Sequence, residues 1–315
     1  MMRIAIASGK GGTGKTIVAT NLAWTAAALG HSVAYVDCDV EEPNGHLFLQ
    51  PTITQQTSID QLLPTVQPGR CTGCGLCSQI CRYGAIASVG QQPLVFPDLC
   101  HACGGCVWVC PNQALVESPY SIGQLRVGSA GPILFLEGRL HVGQPMSPPA
   151  IRAVKKAAPP VEWTILDCPP GVSCPVVESV RGTDFVLLVT EPTPFGLYDL
   201  KLAVEMARTL GLKFGVVVNR SDIGDREVWN FCTRQAIPIL AEIPHDRAVA
   251  EAYSRGQLAA AVVPEFGRRI RLLWETLGLQ VRRLKQETSR STVGQGASSA
   301  SAARPLSWQQ GDRGG

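Results

Sequence analysis

The chain alternates short apolar runs with amphipathic stretches along most of its length. Six apolar runs predict β-strands, at residues 3–7, 31–36, 161–166, 185–189, 214–218 and 237–243. Helical periodicity between them predicts helices at residues 16–29, 147–158, 197–210 and 225–235, and another from residue 247. Repeated β–α units of this kind predict an α/β fold, with a mostly parallel sheet covered by helices on both faces.

One segment interrupts this alternation. Residues 64–119 are rich in Cys, Gly and Pro with little periodicity, and residues 122–142 predict only short strands and turns. Because the α/β pattern resumes afterwards, the segment is an insertion within one domain. The predicted organisation has a first domain part at 1–63, an inserted unit at 64–119, a second domain part at 120–285 and a disordered tail at 286–315.

A last helical stripe precedes the predicted tail. Its apolar members are Phe266, Ile270, Leu273, Leu277, Val281 and Leu284, with basic residues around them. A basic amphipathic helix can lie on a membrane surface. Such a helix more often closes a core with its charges solvated, and its continuity with the domain favours the core.

Composition narrows the classes of function. The 315 residues are 45% hydrophobic and 17% charged, which is typical of a soluble globular protein. A formal net charge of +3 does not argue for nucleic acid as a partner. No apolar stretch approaches the ~20 residues of a membrane span, and no signal peptide precedes the first strand. We therefore expect a cytoplasmic protein, in which disulfides would not explain twelve cysteines.

The stretch between the first strand and the first helix predicts a phosphate-binding loop. Residues 8–16 fit G-x-x-x-x-G-K-S/T, whose backbone N–H groups surround phosphate oxygens at a helix N-terminus. In this motif Lys15 reaches the β- and γ-phosphates and the Thr16 hydroxyl binds Mg²⁺. An ordinary glycine-rich turn is the alternative, but the flanking strand and helix favour the P-loop. The predicted binding residues are Gly9, Gly11, Gly12, Thr13, Gly14, Lys15 and Thr16.

A second lysine within the loop, Lys10, makes the motif more specific. The form K-G-G-x-G-K-T resembles the deviant Walker-A ATPases, which include MinD, ParA and the nitrogenase iron protein. The resemblance implies a P-loop NTPase fold, binding of ATP and Mg²⁺, slow hydrolysis and a nucleotide-dependent homodimer. In that dimer Lys10 would cross to the partner's nucleotide and stabilise charge during phosphoryl transfer. A solvated loop charge is the alternative.

Other segments match the same family and imply further site residues. Asp39 would lie in switch I and orient or activate the attacking water, with Asp37 nearer the metal. Asp167, in the segment D-C-P-P-G, would hold Mg²⁺ through a water, and the Gly171 N–H would meet the γ-phosphate. Asn219 would bond the adenine base. For a single Asp after a strand, a capping role is the alternative.

Eight of the twelve cysteines form two identical runs. Each run has the spacing C-x₂-C-x₂-C-x₃-C, and the second, at residues 100–110, repeats the first, at 71–81. This internal repeat resembles a bacterial ferredoxin unit with two [4Fe-4S] clusters, in which the fourth cysteine of each run crosses to the other cluster. The resemblance implies one cluster on Cys71, Cys74, Cys77 and Cys110, and a second on Cys100, Cys103, Cys106 and Cys81.

Two points qualify this assignment. Arg82 stands where the ferredoxin pattern usually has proline after the first run. CxxC pairs also bind Zn²⁺, so zinc is the alternative metal.

Outside the repeat, Cys174 lies where the nitrogenase iron protein has a cysteine that ligates a shared cluster. A bridging cluster there competes with a buried structural thiol, which the sequence favours.

Together these features indicate an ATP-dependent iron–sulfur protein that couples nucleotide state to electron transfer. Its implied partners are ATP, a second copy of the chain and a redox or cluster-acceptor protein. One alternative is an ATP-dependent carrier that delivers clusters to other proteins. Another is spatial positioning on a membrane or nucleoid through the last basic helix, and membrane contact is the less favoured option.

Overall fold

A computed structural model describes residues 1–90 and 92–295. One compact unit spans Met1–Trp274, and a second begins at Glu275. The side chain of Leu284, from the predicted apolar stripe, lies outside what is described. So do residues 296–315 of the predicted tail.

Within the described residues, the first unit contains a nine-stranded sheet in the order β11-β10-β9-β1-β8-β2-β7-β6-β3. Seven of its strands pair in parallel. They are β1 (Met2–Ala7), β2 (Val33–Asp37), β7 (Ile133–Leu140), β8 (Trp163–Asp167), β9 (Phe185–Thr190), β10 (Phe214–Asn219) and β11 (Ile239–Ile243). The α/β fold with a mostly parallel sheet is therefore confirmed.

The remaining two strands of this sheet form a long antiparallel ribbon. β3 (Thr52–Val66) pairs with β6 (Leu115–Ala130), and β6 also pairs with β7. The ribbon leads from the sheet to the cysteine repeat, since Val66 and Leu115 are its last register pair. A two-stranded sheet of β4 (Ile86–Val89) and β5 (Gln92–Val95) lies between them in sequence.

Helices connect the strands. They are α1 (Lys15–Ala28), α2 (Gly45–Leu49), α3 (Leu76–Ile80), α4 (Gly105–Trp108), α5 (Pro148–Ala157), α6 (Cys174–Val180), α7 (Pro194–Thr209), α8 (Glu227–Arg234), α9 (Arg247–Ser254), α10 (Ala259–Val262) and α11 (Pro264–Gln295). The helices predicted from periodicity correspond to α1, α5, α7, α8 and α9. None of the helices within residues 1–90 and 92–295 combines the length and apolar character that a membrane span requires.

The sequence pattern did not predict the two long strands of the ribbon. It gave no element for residues 52–63, little strand structure for 64–119 and only short strands for 122–142, whereas the structure has the continuous strands β3 and β6. Most of β3 is exposed, so its side chains do not alternate between an apolar core and water. Without that alternation, sequence periodicity carries no strand signal. The predicted limits of the inserted unit, 64 and 119, fall inside these two strands and stay a prediction.

The C-terminal helix begins as predicted and ends later. Phe266, Ile270 and Leu273 are buried, as are Leu277 and Val281, which confirms a buried stripe. α11 continues to Gln295, whereas a disordered tail was predicted from residue 286. Residues 286–295 contain no proline, and Gln286, Glu287 and Arg290 are good helix formers, so low hydrophobicity alone does not end the helix.

Candidate functional site

The P-loop lies between β1 and α1, at the carboxyl end of the sheet. Parallel strands gather ligand-binding groups at that end. Gly14 precedes α1 in a left-handed conformation, with φ of 94°. A cavity of about 470 Å³, within the range of small-molecule sites, is lined there by Gly11, Gly12, Gly14, Lys15 and Thr16. Gly171 also reaches the loop, because its N–H donates to the Ser8 carbonyl at 3.0 Å.

Two buried aspartates meet where neighbouring strands end. Asp37 closes β2 and Asp167 closes β8, and the two are register partners. The Tyr35 hydroxyl donates to Asp167 Oδ2 at 2.9 Å. The other oxygen of Asp167, Oδ1, is buried and has no hydrogen-bond partner among the described residues. Such an orphaned carboxylate oxygen beside the P-loop is the kind of group that a magnesium-bound water satisfies.

Electrostatics at Asp167 fit a cation at this position. Burial raises the pKa of Asp167, while the Lys15 ammonium, the nearby Thr16 hydroxyl and the hydrogen bond from the Tyr35 hydroxyl lower it. Thr16 and Asp167, the two predicted magnesium residues, are therefore brought together. They are hard oxygen donors, the type that Mg²⁺ prefers.

Asp37 holds the loop that follows β2. Its Oδ1 accepts the Asp39 N–H at 3.1 Å and its Oδ2 accepts the Gly45 N–H at 3.0 Å. Both oxygens thus hold the loop after β2, and the place of Asp37 nearer the metal stays a prediction. Burial, and then the neighbouring Asp167 carboxylate, raise its pKa well above the usual range.

Asp39 lines the nucleotide cavity on this anchored loop. Burial raises the pKa of its carboxyl to about 6, while the Glu42 N–H and the Lys15 ammonium act in the opposite direction. A carboxylate with that pKa can accept a proton near neutral pH. The placement is compatible with the predicted part of Asp39 in orienting or activating water.

Asn219 connects the P-loop to the far wall of the cavity. Its Nδ2 donates to the Thr13 carbonyl at 2.9 Å. Arg220, Pro244 and His245 line the same wall. In this structure Asn219 holds the loop, and its contact with a base stays a prediction.

Lys10 and Gly9 lie outside this lining. A Cβ on Gly9 would collide with the backbone of Asp199, so the loop packs closely on α7. Lys10 Nζ lies 3.8 Å from Glu191 Oε2, and Arg220 Nη1 donates to Glu191 Oε1 at 2.6 Å. Sequence reasoning missed Glu191, although an acid that directly follows a wholly apolar strand is the signal that found Asp167.

Comparison with known proteins shows the family of this chain. Residues 4–259 match the CobQ/CobB/MinD/ParA nucleotide binding domain. The chain belongs to this family. MinD/ParA proteins are nucleotide-binding ATPases, as the solved cell division ATPase MinD of Pyrococcus furiosus illustrates.

Several individual proteins resemble this MinD/ParA-type chain. An uncharacterized protein of Methanocaldococcus jannaschii is 29% identical over 267 residues, covering 82% of this chain and 91% of the relative. The iron-sulfur cluster carrier protein of Methanococcus maripaludis is 25% identical over 226 residues, covering 69% and 59%. The P. furiosus MinD structure has a TM-score of 0.54 at 21% identity, covering 89% of this chain and 99% of that one, and supports the fold alone.

The cysteine repeat of this MinD/ParA-type chain encloses two small cavities. Each cavity is lined by the first three cysteines of one run and the fourth cysteine of the other. The first cavity is lined by Cys71, Cys74, Cys77 and Cys110, and the second by Cys81, Cys100, Cys103 and Cys106. These are the two ligand sets implied by the ferredoxin resemblance, including the exchange of the fourth cysteine. The presence of clusters stays a prediction.

Backbone groups around these cysteines suit thiolate ligands. The Ala85 N–H donates to Cys81 Sγ at 3.3 Å, and the Ala114 N–H donates to Cys110 Sγ at 3.2 Å. The two bonds are equivalent in the repeat. Each is accepted by the fourth cysteine of a run, which lines the cavity formed mainly by the other run. Burial raises the pKa of Cys106 to about 11, so a metal bound there would displace a proton. Within the described residues, no three His, Cys, Asp or Glu side chains could hold a single metal ion.

The remaining cysteines differ in exposure. Cys38, Cys168 and Cys232 are buried, whereas Cys174 is exposed at the start of α6. The prediction that Cys174 is a buried structural thiol is therefore wrong. Cys174 ends the loop after β8, in which residues 170–174 are partly or fully exposed.

Proposed function

We propose that the chain binds and hydrolyses ATP, holds two [4Fe-4S] clusters and couples its nucleotide state to electron transfer. The observation that carries this proposal is the continuity of one sheet. Its parallel strands β2 and β8 end at Asp37 and Asp167 beside the nucleotide cavity. Its ribbon, β3 and β6, ends at the two four-cysteine cavities.

In the ATP site, residues of the chain would position phosphate, metal and water. Lys15 and the loop N–H groups would bind the phosphates, and Thr16 with Asp167 would hold Mg²⁺. Gly171 would sense the γ-phosphate, and Asp39 would orient water for in-line attack. In a nucleotide-dependent homodimer, Lys10 would leave Glu191 and contact the partner's nucleotide.

In the cysteine unit, two sets of four thiolates would hold the clusters. Cys71, Cys74, Cys77 and Cys110 form one set, and Cys100, Cys103, Cys106 and Cys81 form the other. When bound, such clusters supply one-electron carriers. The N–H groups of Ala85 and Ala114 would stabilise negative charge on Cys81 and Cys110.

A buried ionic group supports coupling between the two sites. Glu137 on β7 is fully buried and is the register partner of both Asp37 and Arg126. Arg126 Nη1 donates to Glu137 Oε1 at 2.8 Å, and His46 Nδ1 lies 2.8 Å from Glu137 Oε2. His46 follows Gly45, whose N–H is bound by Asp37. Motion of the switch I loop would therefore act on β6, which leads to the cysteines.

The test is anaerobic reconstitution of the full chain, followed by iron and sulfide analysis and EPR-monitored redox titration. We expect two [4Fe-4S] clusters whose midpoint potentials or g-values shift when MgATP replaces MgADP. A Lys15→Ala variant should keep the clusters and lose the shift. Identical spectra in both nucleotide states would contradict coupling, and zinc in place of iron would contradict the clusters.

A second candidate is an ATP-dependent cluster carrier. The named carrier proteins among the relatives and the exposed Cys174 favour it. A carrier should transfer its iron and sulfide to an apo [4Fe-4S] enzyme within minutes and activate it. Cys174→Ser should slow that transfer without changing ATP hydrolysis. Clusters that stay bound through repeated reduction and oxidation would exclude this role.

A further inference from the structure

The two halves of the cysteine repeat carry different side chains at one equivalent position. The repeat has an offset of 29 residues, from Cys71 to Cys100. The same offset relates Cys77 to Cys106 and Ser88 to Glu117. A neutral hydroxyl in the first half therefore corresponds to a carboxylate in the second.

The structure places these two side chains alike. Ser88 lines the first cavity and Glu117 lines the second. A Cβ on Gly75 would lie 3.7 Å from Ser88 Oγ, and a Cβ on the equivalent Gly104 would lie 3.2 Å from Glu117 Oε1. Each polar group thus lies against the equivalent cysteine loop of its own cavity. The difference between the halves is one of charge and not of position.

Ser88 can act as a hydrogen-bond donor toward the first cavity. Its hydroxyl donates to Ser78 Oγ at 3.3 Å, and Ser88 lines the same cavity as Cys71, Cys74, Cys77 and Cys110. A hydroxyl rotates, so it can turn its proton toward a thiolate of this cavity when one is present. The other polar side chains of this lining are neutral: Thr72, Gln92 and Asn112.

The second cavity has ionisable groups instead. Glu117 contributes a carboxylate, and Tyr83 and His101 stack with ring centroids 3.6 Å apart. Glu117 thus places an acidic side chain in the lining of the second cavity, at the position where the first cavity has the neutral Ser88. Reduction adds an electron, which a nearby hydroxyl donor favours and a nearby carboxylate disfavours.

We propose that Ser88 and Glu117 set the two clusters at different reduction potentials, with the cluster on Cys71, Cys74, Cys77 and Cys110 the higher of the two. This inference rests on the proposed function, because it requires bound clusters. Both side chains separate the potentials in the same direction. The first electron added to the protein would therefore reside in the cavity of Ser88.

The test uses the full, reconstituted chain at pH 8 without nucleotide, in an EPR-monitored redox titration. Two reduction steps are expected. Glu117→Gln should raise the lower midpoint and leave the higher one unchanged, whereas Ser88→Ala should lower the higher midpoint alone. Glu205→Gln, which removes an exposed carboxylate on α7, is the matched control and should change neither.

A variant that exchanges the two side chains distinguishes an effect of charge on the potentials from an effect of a damaged fold. In S88E combined with E117S, the spectral signature of the first-reduced cluster should move to the other cavity. Two clusters with equal midpoints, or midpoints that none of these variants shifts, would overturn the inference and leave the proposed function intact. A protein without the iron and sulfide of two clusters would overturn the proposed function itself.

Discussion

At the residue scale, the nucleotide cavity depends on close packing between Gly14 and Asn219. Gly14 has φ of 94°, and a Cβ there would lie 2.5 Å from Asn219 Nδ2. The same Nδ2 holds the Thr13 carbonyl. A side chain at residue 14 would therefore strain the backbone and displace the group that fixes the P-loop.

We expect Gly14→Ala to weaken nucleotide binding at least about tenfold, because left-handed backbone costs about 1–2 kcal/mol for an L-residue and the clash with Asn219 adds to it. Titration with a fluorescent ADP analogue measures this. Gly30→Ala is the matched control, since Gly30 also has positive φ (87°) and a Cβ there would meet nothing within 4 Å. That variant should lose stability and keep nucleotide affinity. Equal affinity in both variants would contradict the packing argument.

At the element scale, the ribbon of β3 and β6 is joined to the nucleotide side of the sheet by the group around Glu137. Arg126 and Arg139 are its cationic partners and His46 lies beside it, and each of the three keeps at least a quarter of its side chain exposed. A buried ion pair of this kind contributes little net stability. Replacing the Glu137 carboxylate is nevertheless costly, because its partners lose a shared charged acceptor and the buried amide that takes its place loses hydrogen bonds.

We expect Glu137→Gln to lower the free energy of unfolding by about 3 kcal/mol, as measured by urea denaturation. It should also reduce the nucleotide-dependent shift in the cluster spectra under conditions where the protein stays folded. Glu251→Gln, which breaks an exposed pair with Arg247, should cost less than about 1 kcal/mol. If Glu137→Gln keeps the full nucleotide response, the ionic group does not connect the two sites.

At the scale of the whole molecule, strands β3 and β6 join the cysteine unit to the rest of the sheet within the described residues. Val66 and Leu115 are the last paired residues of the ribbon, so the segment between them can be replaced by a hairpin turn without changing register. Two-residue turns such as Asn-Gly suit an antiparallel pair of this type.

Replacing residues 67–114 with Asn-Gly should leave a folded protein that binds MgADP and contains no iron. The reason is that the nucleotide cavity takes no residue from this segment. Circular dichroism, ADP titration and iron analysis measure the three properties. Loss of nucleotide binding, with the helical signal retained, would show that the ATP site requires the cysteine unit and would contradict a separable insertion.

Much of this architecture could be predicted from local sequence patterns. Apolar runs identified β1, β2, β8, β9, β10 and β11 because each lies in the core, where burial requires apolar side chains. Motif spacing identified the P-loop, Asp167 and both cysteine runs, since phosphate and metal chemistry demands particular groups at short separations. These features depend on neighbours in the chain, which a sequence displays directly.

Other features were decided only by tertiary structure. Most of β3 is exposed and shows no regular burial pattern, so only its pairing with β6 reveals the ribbon. Glu191 and Glu137 acquire their partners from strands distant in sequence, and Asp37 proved to hold a loop because Gly45 returns to it. The equivalent positions of Ser88 and Glu117 are evident only in the structure, where each side chain lines its own cavity. Such contacts follow from strand order and long-range packing, which local periodicity does not encode.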